Sequence, residues 1–156
     1  MSLQPRTRNA LAGLSLSAAA LVSLVVSESY TDRAVIPVPG DVPTIGFGTT
    51  SGVKLGDTIK PPQALARALT DIQKFEGALK QCVKVPLSQN EYDAYLQLSY
   101  NIGSNAFCTS TLVRKLNAGD YAGACSAIKS WDKFKGKPLR GLTLRREREY
   151  QQCITP

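Results

Sequence analysis

The sequence predicts an α+β domain, a small β subdomain followed by a mostly helical body, with an apolar segment ahead of it. Three observations carry this reading. Residues 33–50, RAVIPVPGDVPTIGFGTT, are rich in β-branched side chains and are divided by a Pro39-Gly40-Asp41 turn, which reads as a hairpin or short sheet. From Lys60 onward apolar residues recur at helical spacing, with no linker or internal repeat to break the domain. Residues 10–27, ALAGLSLSAAALVSLVVS, form a run of eighteen residues without a charge that stops at Glu28.

That run holds five Leu and three Val, but also five Ala and five Gly or Ser. As one helix it would span about 27 Å at 1.5 Å per residue, close to the ~30 Å hydrocarbon core of a bilayer. Its small residues leave little surplus for insertion. Arg6 and Arg8 precede it, so the positive-inside rule keeps the N-terminus cytoplasmic and sends residues 28–156 across the membrane. Three readings are open. A cleaved signal peptide ending near Val25-Val26-Ser27 lacks a strong small-residue site, and a permanent anchor is disfavoured by the composition. A weak signal anchor that later leaves the bilayer fits best. The expected organisation is a cytoplasmic tip and anchor segment over residues 1–27 and one folded domain over residues 28–156.

After the hairpin, Pro61 and Pro62 suit a first helical turn, and Leu65, Leu69, Ile72 and Leu79 are its expected apolar positions. Ser88 and Glu91 form a capping-box pattern ahead of YDAYLQLSYNIG, where Tyr92, Tyr95 and Tyr100 are expected to pack in the core. Asn117-Ala118-Gly119 signals a helix end, and Asp120 can cap the next helix, up to Trp131, itself expected in the core. A basic loop, KFKGKPLRG, leads to a final helix, TLRREREYQQC, whose Arg145 and Arg146 are expected at the surface or in an ion pair.

A chain of 156 residues is large enough for one domain with its own core. The net charge is +7, and residues 114–149 hold ten Lys or Arg against four Asp or Glu, a balance that suits an anionic polymer or a solvated basic surface. No nucleic-acid-binding motif accompanies it. The chain contains no histidine, which excludes Ser-His-Asp and Cys-His nucleophile systems, HExxH metalloproteases and His-based zinc sites. Cys82, Cys108, Cys125 and Cys153 are not in CxxC pairs; behind an export segment they read as two disulfides in an oxidising compartment. Of three connectivities, the sequential one is expected. No metal or organic cofactor is indicated.

Hydrolysis without histidine falls to carboxylates and hydroxyls, which singles out Glu28, Asp32, Asp41 and Thr44. A glycosidase needs two carboxyl functions flanking a sugar bond, and a helix end followed by a hairpin can supply them from nearby points in the chain. The stretch ESYTDRAVIPVPGDVPTIGFGTT resembles the signature of phage-type lysozymes, glycoside hydrolase family 24, in which a Glu precedes a hairpin ending in T-I-G-[YF]-G. LSYNIGSNAFCTSTLVRKLNAGDYAGACSAIKSW and GLTLRRERE resemble the helical lobe of the same family, so the likeness covers residues 28–153. With the weakly apolar start, the whole chain resembles the signal-anchor-release endolysins of phages of Gram-negative hosts.

The resemblance implies a lysozyme-like fold and hydrolysis, with inversion, of the β-1,4 bond between N-acetylmuramic acid and N-acetylglucosamine in peptidoglycan. Glu28 matches the family's general acid, and Thr44 the residue that helps hold the attacking water. The family's Asp, nine residues after the Glu, falls on Pro37, and the path from Glu28 to Thr44 is one residue longer than the common spacing. Asp41 is therefore expected as the second carboxylate, with Asp32 as the alternative. Thr49 stands where relatives often carry His. The expected partners are peptidoglycan and, through residues 10–27 before release, the host inner membrane, with no nucleic acid. The chain is expected to be a monomer, tethered with its N-terminus in the cytoplasm and its catalytic domain in the periplasm, then soluble there. Competing readings are a lytic transglycosylase, a degenerate wall-binding protein without catalysis and, more distantly, a basic nucleic-acid binder.

Overall fold

The computed structural model describes residues 6–156, so the tip expected at the start of the chain lies partly outside the described residues. The chain forms two compact units, one from Leu21–Lys74 and one from the residues up to Ala20 together with Phe75–Pro156. The boundaries fall within two helices, α1 (Ala18–Glu28) and α2 (Pro61–Cys82).

The smaller unit holds the β structure. Strand β1 (Thr31–Val35) pairs antiparallel with β2 (Thr44–Gly46), Thr31 opposite Gly46 and Val35 opposite Thr44, with an irregularity between. Residues 57–59 run along the other edge of β1, where Ala34 N donates to Asp57 O and Ile59 N to Asp32 O. The expected turn closes the hairpin: Asp41 N donates to Val38 O at 3.0 Å, with Gly40 at φ +89°. A Cβ on Gly46 would lie 2.9 Å from the Ala64 Cβ, so β2 and the start of α2 approach closely only because both residues are small.

That approach decides which face of α2 is buried. Leu65 and Leu69 are about half exposed, whereas Ala64, Ala68, Ile72 and Leu79 are buried. The helix turns its small residues inward because the strand leaves no room for leucines there.

The larger unit is built around α3 (Gln89–Ile102), which is buried on nearly every side, as expected for a central helix. Tyr92 and Tyr95 are fully buried within it, and Tyr100 is half-buried against Phe75. The Ser88–Glu91 capping box is formed in both directions. Short helices follow: α4 (Ser104–Cys108), α5 (Thr111–Asn117) and α6 (Tyr121–Ala127), the last capped by Asp120, whose Oδ1 accepts from Gly123 N at 2.8 Å. A 3₁₀ turn, Ile128–Ser130, leads to Trp131, which is half-buried rather than in the core. The basic loop is itself a hairpin, β3 (Lys133–Phe134) with β4 (Lys137–Pro138), turned at Lys135 and Gly136, both at positive φ. Helix α7 (Arg140–Ile154) closes the unit; its Arg145 and Arg146 both pair with Glu149. Disulfides join Cys82 to Cys108 and Cys125 to Cys153, with Cα separations of 5.6 and 5.7 Å.

The apolar N-terminal run departs most from expectation. Instead of one helix over residues 10–27 there is a 3₁₀ turn, Leu11–Gly13, an extended strap to Ser17, and then the eleven-residue α1. Ser17 sets the helix start: its Oγ accepts from Ala20 N at 3.1 Å, while its own N–H and hydroxyl donate to the Asp93 carboxylate. Among the described residues no helix is long and apolar enough to cross a membrane.

Candidate active site

The four polar residues singled out from the sequence all lie in the smaller unit. Glu28 is the last residue of α1 and is half-buried. The helix stops there because Ser29 takes a left-handed conformation, φ +59°, which turns the chain into β1. Tyr30 braces that turn, donating its hydroxyl to Ile59 O at 2.7 Å and packing its ring 5.4 Å from that of Phe47.

Phe47 belongs to the TIGFG loop, which meets Glu28 directly. A Cβ on Gly48 would sit 3.0 Å from Glu28 Oε2 and 3.4 Å from its Cγ. With Gly48 at φ +83°, only glycine lets the backbone pass so close to the carboxylate. The loop is fixed from behind by Thr49, which exchanges both backbone hydrogen bonds with Ile45, at 2.9 and 3.1 Å. Thr49 is 2% exposed, and its Oγ1 donates to Asp71 Oδ2 on α2 at 2.7 Å. Asp71 is a member of this arrangement that sequence reasoning missed; the signal available was Thr49 itself, a polar residue directly after a glycine loop.

Thr44 opens β2, and its hydroxyl donates to Val42 O at 3.2 Å, tying it to the segment that carries Asp41. Asp41 is exposed in the turn, and its Oδ1 accepts from the adjacent Val42 N at 2.8 Å. Asp32 is exposed on β1, its backbone carbonyl taken by Ile59 N. The structure thus sets Glu28 against the loop that continues from Thr44, and couples Asp41 to Thr44 through Val42. Among the described residues no group of His, Cys, Asp and Glu is arranged to hold a metal ion.

The phage lysozyme family matches residues 25–149, a span that contains both Glu28 and the TIGFG loop. The chain belongs to the phage lysozyme family. As a phage lysozyme it is a hydrolase whose substrate is peptidoglycan. Its relatives include an endolysin of Acyrthosiphon pisum secondary endosymbiont phage 1, 47% identical over 110 residues, spanning 68% of this chain and 75% of the relative. A SAR-endolysin of Pseudomonas phage phiKMV is 39% identical over 143 residues, spanning 89% of this chain and 88% of the relative. Among solved structures, the endolysin of Escherichia coli O157:H7 phage FAHEc1 superposes with a TM-score of 0.78 at 33% identity, covering 95% of this chain and 96% of that one.

Proposed function

We propose that this phage lysozyme is an endolysin, made as a membrane-tethered inactive enzyme, that cleaves host peptidoglycan once it leaves the membrane and so lyses the cell. The observation that carries the catalytic part is the 3.0 Å approach of the Gly48 position to Glu28 Oε2, on the loop that Thr44 opens. Glu28 is the general acid that protonates the leaving glycosidic oxygen of the N-acetylmuramic acid to N-acetylglucosamine β-1,4 bond. Thr44, whose proton is directed at Val42 O, turns its oxygen lone pairs toward an attacking water. Asp41 keeps Oδ2 for that water while Oδ1 is held by Val42 N, and serves as the base that completes an inverting displacement. Asp32 is the alternative base.

The membrane part rests on the weakly apolar run of residues 10–27 behind Arg6 and Arg8, and on the similarity to a SAR-endolysin over 89% of the chain. Residues 1–27 act first as cytoplasmic tip and anchor and residues 28–156 as the periplasmic enzyme, monomeric and soluble after release. With Glu28 at the anchor's edge, a tethered chain holds its acid at the membrane surface and keeps the hairpin from closing around it.

The test is solubilisation of purified Gram-negative peptidoglycan by wild type, Glu28→Gln, Asp41→Asn and Asp32→Asn, with the released sugar ends identified. Reducing muramic ends from wild type, loss of turnover by at least 100-fold in Glu28→Gln, and a comparable loss in Asp41→Asn are expected. Anhydro-muramic ends would identify a lytic transglycosylase instead, and full turnover in both Asp variants would remove the assigned base.

A further inference from the structure

Glu91 is fully buried at the start of α3, and a carboxylate at that depth requires partners. Ser88 N supplies one hydrogen bond, to Oε2 at 2.9 Å. Among the described residues its cations are two arginines from the far end of the sequence. Arg6 Nη1 donates to Oε1 at 2.7 Å, Arg8 Nη2 to Oε1 at 2.8 Å, and Arg8 Nε to Oε2 at 3.0 Å. Both arginines are held by more than the carboxylate. Arg6 also donates to the carbonyls of Cys153 and Ile154, at the end of α7, and the Arg8 guanidinium lies 3.6 Å from the Tyr121 ring centroid.

The rest of the strap docks beside them. Asn9 and Leu87 exchange backbone hydrogen bonds at 2.8 and 3.0 Å. Gln89 Nε2 donates to Ser15 O, Leu16 N donates to Glu76 Oε1, and Ser17 donates twice to Asp93. Two of the serines that make the run a weak membrane segment, Ser15 through its carbonyl and Ser17 through its N–H and hydroxyl, are therefore hydrogen-bonded to the folded body.

We propose that Arg6 and Arg8 are a latch for which Glu91 is the receptor, holding the N-terminal segment on the body and opposing its return to the membrane. The proposal rests on the membrane-release reading above. In a tethered chain the arginines lie beyond a hydrocarbon core of ~30 Å from everything after Glu28, so the latched and spanning states exclude one another. The same two charges then act twice, first fixing orientation and later neutralising a buried carboxylate. Return to the bilayer would strip Glu91 of both cations. Arginine suits the second task because its fork meets both carboxylate oxygens, as Arg8 does here.

The test uses full-length protein made in a Gram-negative host, released by collapse of the membrane potential, and then mixed with vesicles of phosphatidylethanolamine and phosphatidylglycerol. Glu91→Gln retains an oxygen that can accept from Ser88 N, and the double variant Arg6→Lys/Arg8→Lys retains both positive charges while losing the fork. Both variants should insert as wild type does and, once released, digest purified wall without lipid within twofold of wild type, which shows that they fold. The vesicle-bound fraction of released protein should rise at least fivefold in each. Equal binding by all three proteins, after a wild type that was membrane-bound before collapse, would overturn the latch alone. A full-length wild type that is never membrane-bound would overturn the membrane reading and the latch together.

Discussion

Replacing Gly48 by alanine tests the link between the TIGFG loop and Glu28, the proposed general acid, most directly. The new Cβ would stand 3.0 Å from Glu28 Oε2, so the carboxylate or the loop must shift by a few tenths of an ångström. The left-handed backbone, φ +83°, adds a cost of roughly 1–2 kcal/mol for any L side chain, or roughly 2–8 °C in Tm for a chain of this length. A misplacement of about 1 Å in a reacting group can cost about 100-fold in rate, so a shift of a few tenths should cost roughly 5- to 30-fold in kcat. Gly52→Ala is the control. Gly52 has φ +70° and nothing within 4 Å of its Cβ position, so it carries the backbone cost without touching Glu28. Turnover on purified peptidoglycan and thermal melting of both variants give the comparison. Matching losses in Tm with a kcat loss confined to Gly48→Ala are expected; equal turnover in the two variants would refute the placement of Glu28 against this loop.

Two further outcomes follow from buried polar groups. Thr49→Val removes the hydroxyl that donates to Asp71, leaving that carboxylate with Lys74 at 4.0 Å; a hydrogen bond to a charged group is worth about 2 kcal/mol, so Tm should fall by roughly 4–8 °C, and Thr49→Ser should recover most of it. Glu91 experiences burial, which favours its protonated form, but the hydrogen bonds from Arg8, Ser88 and Arg6 prevail and hold it below the usual glutamate range. Its contribution to stability is therefore complete above the unfolded glutamate value, near pH 4.5, and is lost as pH falls through the lower folded value. Glu149 works in the opposite sense, since burial raises it despite Arg146 and Arg145. The clean measurement is the Tm difference between wild type and Glu91→Gln, which should shrink on acidification below about pH 4.5; a difference independent of pH would remove the charge from the argument.

What the sequence disclosed was whatever is encoded locally. The Ser88–Glu91 box and the Asp120 cap are short-range patterns, and both form as read. The Pro39-Gly40-Asp41 turn likewise joins two paired strands. Properties set by a distant neighbour were less legible. Periodicity marked a helix through Leu65, Leu69, Ile72 and Leu79 but not which side of it is buried; the close approach of Gly46 to Ala64 selects small side chains there and leaves Leu65 and Leu69 half exposed. Residues 10–27 look like one helix because their composition is apolar; the Asp93 carboxylate, far along the chain, ends the extended strap at Ser17 and starts α1 there. The two basic-hairpin strands are only two residues each, too short to show a period. At the site, Glu28 and Thr44 were marked by their motif, whereas Asp71 enters only through a contact twenty-two positions from Thr49.

Both disulfides join residues at or beyond Cys82, and Glu91 lies inside the loop that Cys82 and Cys108 close. In the proposed release, oxidation can therefore complete the strap's receptor with the strap still elsewhere, and the strap's arrival becomes the capture of a ligand already attached to its host. Its strength is then governed by effective concentration, which the covalent connection makes high and which no dilution of the protein can lower.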